Sequence, residues 1–189
     1  MPDWAWIVIA VLAVIAVAAI IVAARATSSR KRTERLKEHF GPEYERLVDQ
    51  AGDQRAAENE LTERERNRKK LDIVELAPEV QARYAEQWRA VQTAFVDSPS
   101  SAVGDADRLV TAVMRERGYP IDDFDRQAAD VSVDHPDVVE NYRTAHSIHL
   151  AQERGEVGTE QQREALVHYR ALFEQLLDTD KSTTREAQA

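Results

Sequence analysis

The chain reads as all-α. Apolar side chains recur three and four residues apart over most of its length, and prolines fall where helices are expected to open. No window alternates apolar and polar residues with the period of two that a strand requires. The predicted architecture is a single N-terminal transmembrane helix, a charged helical spacer, and a compact bundle of about four to five antiparallel helices.

After a short tail, Met1 to Asp3, the run Trp4 to Ala24 (WAWIVIAVLAVIAVAAIIVAA) carries no charged or strongly polar side chain. As a helix its 21 residues span about 31 Å, close to the hydrocarbon thickness of a bilayer. A cleaved signal would have a basic stretch ahead of a shorter apolar core. Here the positive charges, Arg25, Arg30, Lys31 and Arg32, all follow the run. Basic residues are retained on the cytoplasmic side, which predicts an uncleaved plasma-membrane anchor with its N-terminus outside and the rest of the chain cytoplasmic. Trp4 and Trp6 then suit the outer interface, and Arg30-Lys31-Arg32 suit anionic headgroups, although setting topology is the simpler role for these cations. Ala24-Arg25-Ala26 offers an alternative, an exported protein cleaved after Ala26, but an arginine inside the site weighs against it. Ala19 and Ala23 form a small-xxx-small pair in a span without glycine, a weak signal for helix dimerisation.

Residues 25–70 read as a basic juxtamembrane segment and a charged spacer. Gly41-Pro42-Glu43 punctuates the chain, with proline suited to a first helical position. Tyr44, Leu47, Val48 and Ala51 follow at helical spacing, and Gly52-Asp53 supplies a stop and an N-cap. Gln54 to Lys70 contains one large apolar residue, Leu61, among good helix formers of mixed charge. A coiled coil lacks the apolar repeat it needs, so this helix is expected to be a solvated arm holding the distal domain off the lipid.

Residues 71–178 read as the helical-bundle domain. One helix opens at Pro78 and carries Val80, Tyr84, Trp88, Val91 and Phe95 on one face. Ser98-Pro99 opens the next, with Val103, Ala106, Val110 and Val113 as its stripe and Gly118 as its stop. Asp122 is the expected cap of a short helix holding Phe124 and Ala128. His135-Pro136-Asp137 is expected to open another, with Val138, Tyr142, Ala145 and His149 on one side, ending near Gly155. Thr159 and Gln162 suggest a capping box before Leu166, Tyr169, Phe173 and Leu176. The stretch 179–189 has no apolar anchor and is expected to be disordered.

Composition narrows the function classes. The 189 residues include no cysteine, which removes disulfides, thiolate metal sites and cysteine nucleophiles. From Arg30 to Lys70 there are 12 basic and 10 acidic residues, but from Leu71 to Ala189 there are 12 basic and 23 acidic. A surface this acidic argues against nucleic acid as a partner. His146, His149 and His168 are the candidate metal ligands, yet none has the Glu-x-x-His spacing of a di-iron bundle, and a structural role is the default. Asp134-His135-Pro136-Asp137 and the group Asp122, Asp123, Asp125 read as capping residues, since a calcium loop's spacing, glycine and terminal Glu are missing. Neither a phosphate-cradling glycine loop nor a nucleophile elbow occurs. No catalytic residue, cofactor or small-molecule substrate is therefore predicted.

Four stretches carry a resemblance: Phe40-Gly41-Pro42-Glu43-Tyr44, Arg115-Glu116-Arg117-Gly118-Tyr119-Pro120, the segment from Asp130 to Arg143 (DVSVDHPDVVENYR), and His168-Tyr169-Arg170-Ala171-Leu172-Phe173. Through them the chain is similar, over roughly residues 36–177, to a family of uncharacterised bacterial membrane-anchored proteins common in actinobacteria. The resemblance implies the architecture and brings no activity with it. The functional expectation is a non-enzymatic interaction or scaffold module presented to a protein partner at the inner face of the plasma membrane. The alternative is a metal-binding or enzymatic bundle built on the three histidines.

Overall fold

The computed structural model describes residues 29–177. The run 4–24, with Trp4, Trp6 and Arg25, and the stretch 179–189 lie outside the described residues. Among those described, no helix is long and apolar enough to cross a membrane. They form eight helices and no strand: α1 (29–40), α2 (Pro42–Ala51), α3 (Gln54–Arg68), α4 (Pro78–Asp97), α5 (Pro99–Arg117), α6 (Phe124–Asp134), α7 (Val139–Glu153) and α8 (Thr159–Leu177).

Local chemistry sets most of these boundaries. Pro42, Pro78 and Pro99 occupy the opening positions of α2, α4 and α5, where no intrahelical donor is lost. Asp53 caps α3 by accepting from the backbone N–H groups of Arg55 and Ala56. Three expectations shift by a few residues. Asp123, not Asp122, caps α6, accepting from the Asp125 N–H at 3.0 Å. Pro136 does not open α7: His135 still donates its N–H to the Val131 carbonyl of α6, so the chain turns through 136–138 before α7 begins at Val139. At α8 the box moves back one residue, with Gln161 Oε1 accepting from the Gly158 N–H at 3.0 Å.

The five helices α4–α8 share one core. α5 lies at its centre and buries Ala102, Val103, Ala106, Leu109, Val110, Val113 and Met114. Tyr84 of α4 reaches the Ala112 carbonyl and Glu116, which sets α4 antiparallel to α5. Gln152 reaches the Ser100 carbonyl and His146 meets Asp107, so α7 also runs antiparallel to α5. Tyr169 bonds Asp107 and Arg117 bonds the Leu176 carbonyl, so α8 runs parallel to α5. Trp88 stacks on Phe173 with ring centroids 4.7 Å apart, closing α4 over α8.

The spacer is not a solvated arm. α1, α2 and α3 form a three-helix unit with its own core of Leu36, Phe40, Tyr44, Leu47, Ala57 and Leu61, joined by Val133 of α6. Leu61, the one large apolar side chain of α3, is wholly buried. A stripe on α3 is unnecessary because three helices pool their few apolar groups and polar bonds fix the rest. Arg32 donates to the Glu58 carbonyl, Asn59 and Thr62, and Arg35 grips Glu65 with both ends of its guanidinium. Glu58, itself buried, accepts from Thr33, Tyr44 and Gln54. These pairs, 32 with 58–62 and 35 with 65, make α1 parallel to α3.

The non-helical segment 69–77 returns along the end of α5, where the Val74 N–H donates to the Arg117 carbonyl. Gly118 is required there on two counts. Its φ of +97° is left-handed, and a Cβ would lie 2.4 Å from the Asp72 carbonyl oxygen. Gly52 also has positive φ, but nothing lies within 4 Å of its missing Cβ. Gly118→Ala should therefore cost clearly more stability in urea unfolding than Gly52→Ala, which is expected to cost about 1–2 kcal/mol for the backbone conformation alone.

Candidate functional site

Two clusters of polar side chains join the helices. The first lies among α5, α7 and α8, where Asp107 accepts from the Tyr169 hydroxyl at 2.7 Å and sits 3.4 Å from His146 Nδ1. Burial opposes the Asp107 charge, but the hydrogen bonds from His146 and Tyr169 and the neighbouring histidines hold its carboxyl below the ordinary value. Phe124 of α6 stacks flat on His146 with centroids 3.8 Å apart, and Tyr142 donates to Gln127 at 2.7 Å. The cluster ties α6, α7 and α8 to α5.

The three candidate histidines are not assembled as ligands. His146 and His149 have ring centroids 6.3 Å apart, and His149 Nε2 is 3.8 Å from Glu153. His168 belongs elsewhere on the α7–α8 contact: its Nδ1 is 2.8 Å from Asn141 Oδ1 and its Nε2 is 3.7 Å from Glu164. Among the described residues no group of three or more His, Asp or Glu side chains has the spacing to hold a metal ion. The physical reason is register. Asn141, five residues before His146, is the α7 residue that meets His168, so the rings occupy different levels of the helix pair.

The second lies at the seam between the three-helix unit and the bundle, and its centre is Glu43. This side chain is almost completely buried and meets three guanidinium groups. Arg46 of α2 donates to both carboxylate oxygens at 2.8 Å. Arg64 of α3 donates to Oε1 at 2.8 Å, and Arg143 of α7 spans both oxygens at 2.7 and 2.8 Å. Burial alone would raise the Glu43 pKa, but the bonds from Arg46 and Arg143 and their charges overcome it and hold it down to about 2. Arg64 also reaches Ser132 Oγ of α6 at 3.3 Å.

Beside it, Asp134 at the end of α6 accepts from Arg68 Nε and from the Tyr119 hydroxyl, both at 2.5 Å. The guanidinium groups of Arg68 and Arg117 lie 6.0 and 5.8 Å from the Tyr119 ring centroid. Burial, then the Asp134 charge, push the Tyr119 hydroxyl pKa up. The acid of Gly41-Pro42-Glu43 has the sequence signature of a helix-opening residue. Arg46 lies at helical spacing, but the other two partners are 21 and 100 residues away, so spacing could not reveal them.

Of the cations expected at the membrane interface, Arg30 and Lys31 are exposed on α1. Arg32 is engaged inside the protein through its three bonds to α3. A shallow groove of about 320 Å³ between α4 and α5 is lined by Gln87, Val91, Asp105, Arg108, Leu109 and Ala112. No family model, curated protein or solved structure matches the chain.

Glu43→Gln removes the charge that three arginines surround and is expected to cost about 3–5 kcal/mol. The sign of its pH effect follows from the lowered pKa. The stability Glu43 contributes is present in full above about 4.5 and is lost as pH falls toward about 2. Urea unfolding of both chains between pH 6 and pH 2.5 checks this: the difference between them should shrink steadily below pH 4.5.

Proposed function

We propose that the chain is a single-pass membrane protein whose helical body acts as a non-enzymatic scaffold or interaction module at the cytoplasmic face of the plasma membrane. The observation that carries the reading is the 21-residue charge-free run, with every nearby cation on its C-terminal side. Four residues separate Ala24 from residue 29, where the described part of α1 begins. The run therefore feeds almost directly into the three-helix unit.

The geometry of that unit supports a stand rather than a tether. α1 is parallel to α3, and the seam with the bundle lies toward the ends of α1 and α3 that point away from residue 29. Twelve helical residues at about 1.5 Å each place that end of α1 roughly 18 Å from residue 29. The buried Glu43 and Glu58 and the half-buried Asp107 and Asp134 are engaged in joining helices, which favours a structural use of these groups over a catalytic one.

In intact spheroplasts, a C-terminal tag should resist external protease and become cleavable after lysis, and the purified chain should begin at its initiator end. Cleavage of the tag in intact cells, or a mature N-terminus at Thr27, would overturn the orientation. In-cell cross-linking should enrich the same protein reproducibly over an anchor-only control, and the scaffold reading is lost if none is enriched.

A further inference from the structure

The residue that closes α6 is a buried histidine with an unmet hydrogen-bonding group. His135 is 7% exposed, and its Nε2 is sealed from solvent with no partner. Arg117 of α5, Arg68 of α3 and Asp134 of α6 are the charged groups that face it. It directly follows the three residues by which α6 holds the three-helix unit. Ser132 meets Arg64, Val133 enters the small core, and Asp134 grips Arg68.

We propose that His135 makes this seam acid-sensitive, so that protonation of its ring releases α1–α3 from α6 while α4, α5, α7 and α8 stay folded together. A protonated imidazole carries two N–H donors, and Nε2 has no acceptor within reach. Arg117 and Arg68 repel the new charge. Asp134 is the one anion facing the ring, and it already accepts from Arg68 and Tyr119. If it turns to the imidazolium, it leaves Arg68; if it stays, the cation is buried unpaired. Both routes weaken the tie between α3 and α6. Burial and the neighbouring Arg117 charge accordingly hold the ring's pKa down to about 4, from an ordinary 6.5.

Release strands no other charge. Glu43 keeps Arg46 and Arg64 on its own unit, and Arg143 keeps Glu140. Release takes Arg68 away from the ring while Arg117 stays, so the freed ring binds a proton more readily than the docked one and release is favoured more at pH 5 than at pH 8. Detached, the unit loses Val133 from its core, so its amides should open more readily.

The test is hydrogen exchange of the full chain in detergent micelles at pH 8 and pH 5, with times scaled for intrinsic exchange. Protection in α1–α3 should fall several-fold more than in α4, α5 and α8, and His135→Gln should abolish the difference. Equal loss in all eight helices, retained protection in α1–α3, or the same local loss in the glutamine chain would each overturn the proposal. Should that chain fail to fold, His135→Phe replaces it, and the wild-type comparison alone still decides against the proposal if α1–α3 keep their protection.

Discussion

The Glu43 carboxylate is the constraint on which the arrangement of the molecule depends. A carboxylate removed from water is tolerated only when opposite charge and hydrogen bonds replace its hydration. Here the replacements come from three helices at once: Arg46 on α2, Arg64 on α3 and Arg143 on α7. Two of them belong to the three-helix unit and one to the bundle, so the acid is satisfied in full only when the two are docked in one register. A sliding or rotated docking would leave Arg143 without its bidentate partner and Glu43 with fewer donors. The ion cluster thus adds less to net stability than to specificity of placement, which suits a joint between two small cores.

The two cores need such a joint for different reasons. The bundle buries a continuous apolar interior around α5 and is closed by aromatic contacts such as Trp88 on Phe173. The three-helix unit has seven core side chains, one of them lent by α6. Below a few dozen residues an apolar interior stabilises a fold only weakly, and such a unit depends on added ties. Arg32, Arg35 and Glu58 supply them between α1, α2 and α3, while Val133 and Asp134 supply them from the bundle. The unit's stability and its docking are therefore one problem, solved by the same residues.

This explains which parts of the molecule were legible in the sequence. α4, α5 and α8 were, because each carries large apolar groups at helical spacing and faces one core. Tyr84, Trp88 and Val91, or Tyr169, Phe173 and Leu176, are buried as their spacing predicts. The Gly52-Asp53 and Gly118 signals also landed where the chain turns. The packing of α3 was not legible. One leucine in seventeen residues resembles a solvated helix, because the contacts that hold α3 are guanidinium bonds whose partners lie 21 to 68 residues away. The seam was hidden for the same reason, since Glu43, Arg64, Asp134 and Arg143 each look like an ordinary surface charge. The histidines were visible as residue types, but the register of α7 against α8 decides their neighbours.

A rigid three-helix unit changes what the apolar run would do if it is an anchor. A solvated single helix can swing, so a domain at its end samples many heights and orientations above a surface. Three helices with a shared core, locked to the bundle through Glu43 and Asp134, cannot do so without breaking those ties. The described helices then move together as one body. Arg30 and Lys31 are exposed at the end of that body nearest the apolar run in sequence, and screening limits the reach of such surface charges to about 8 Å. The acidic bundle joins the unit toward its other end, where Arg64 and Arg68 of α3 meet Ser132 and Asp134 of α6. Arg32 takes no part, since its bonds to Glu58, Asn59 and Thr62 fix α1 to α3. One basic triplet is thus divided, two residues exposed on α1 and one holding α1 to α3.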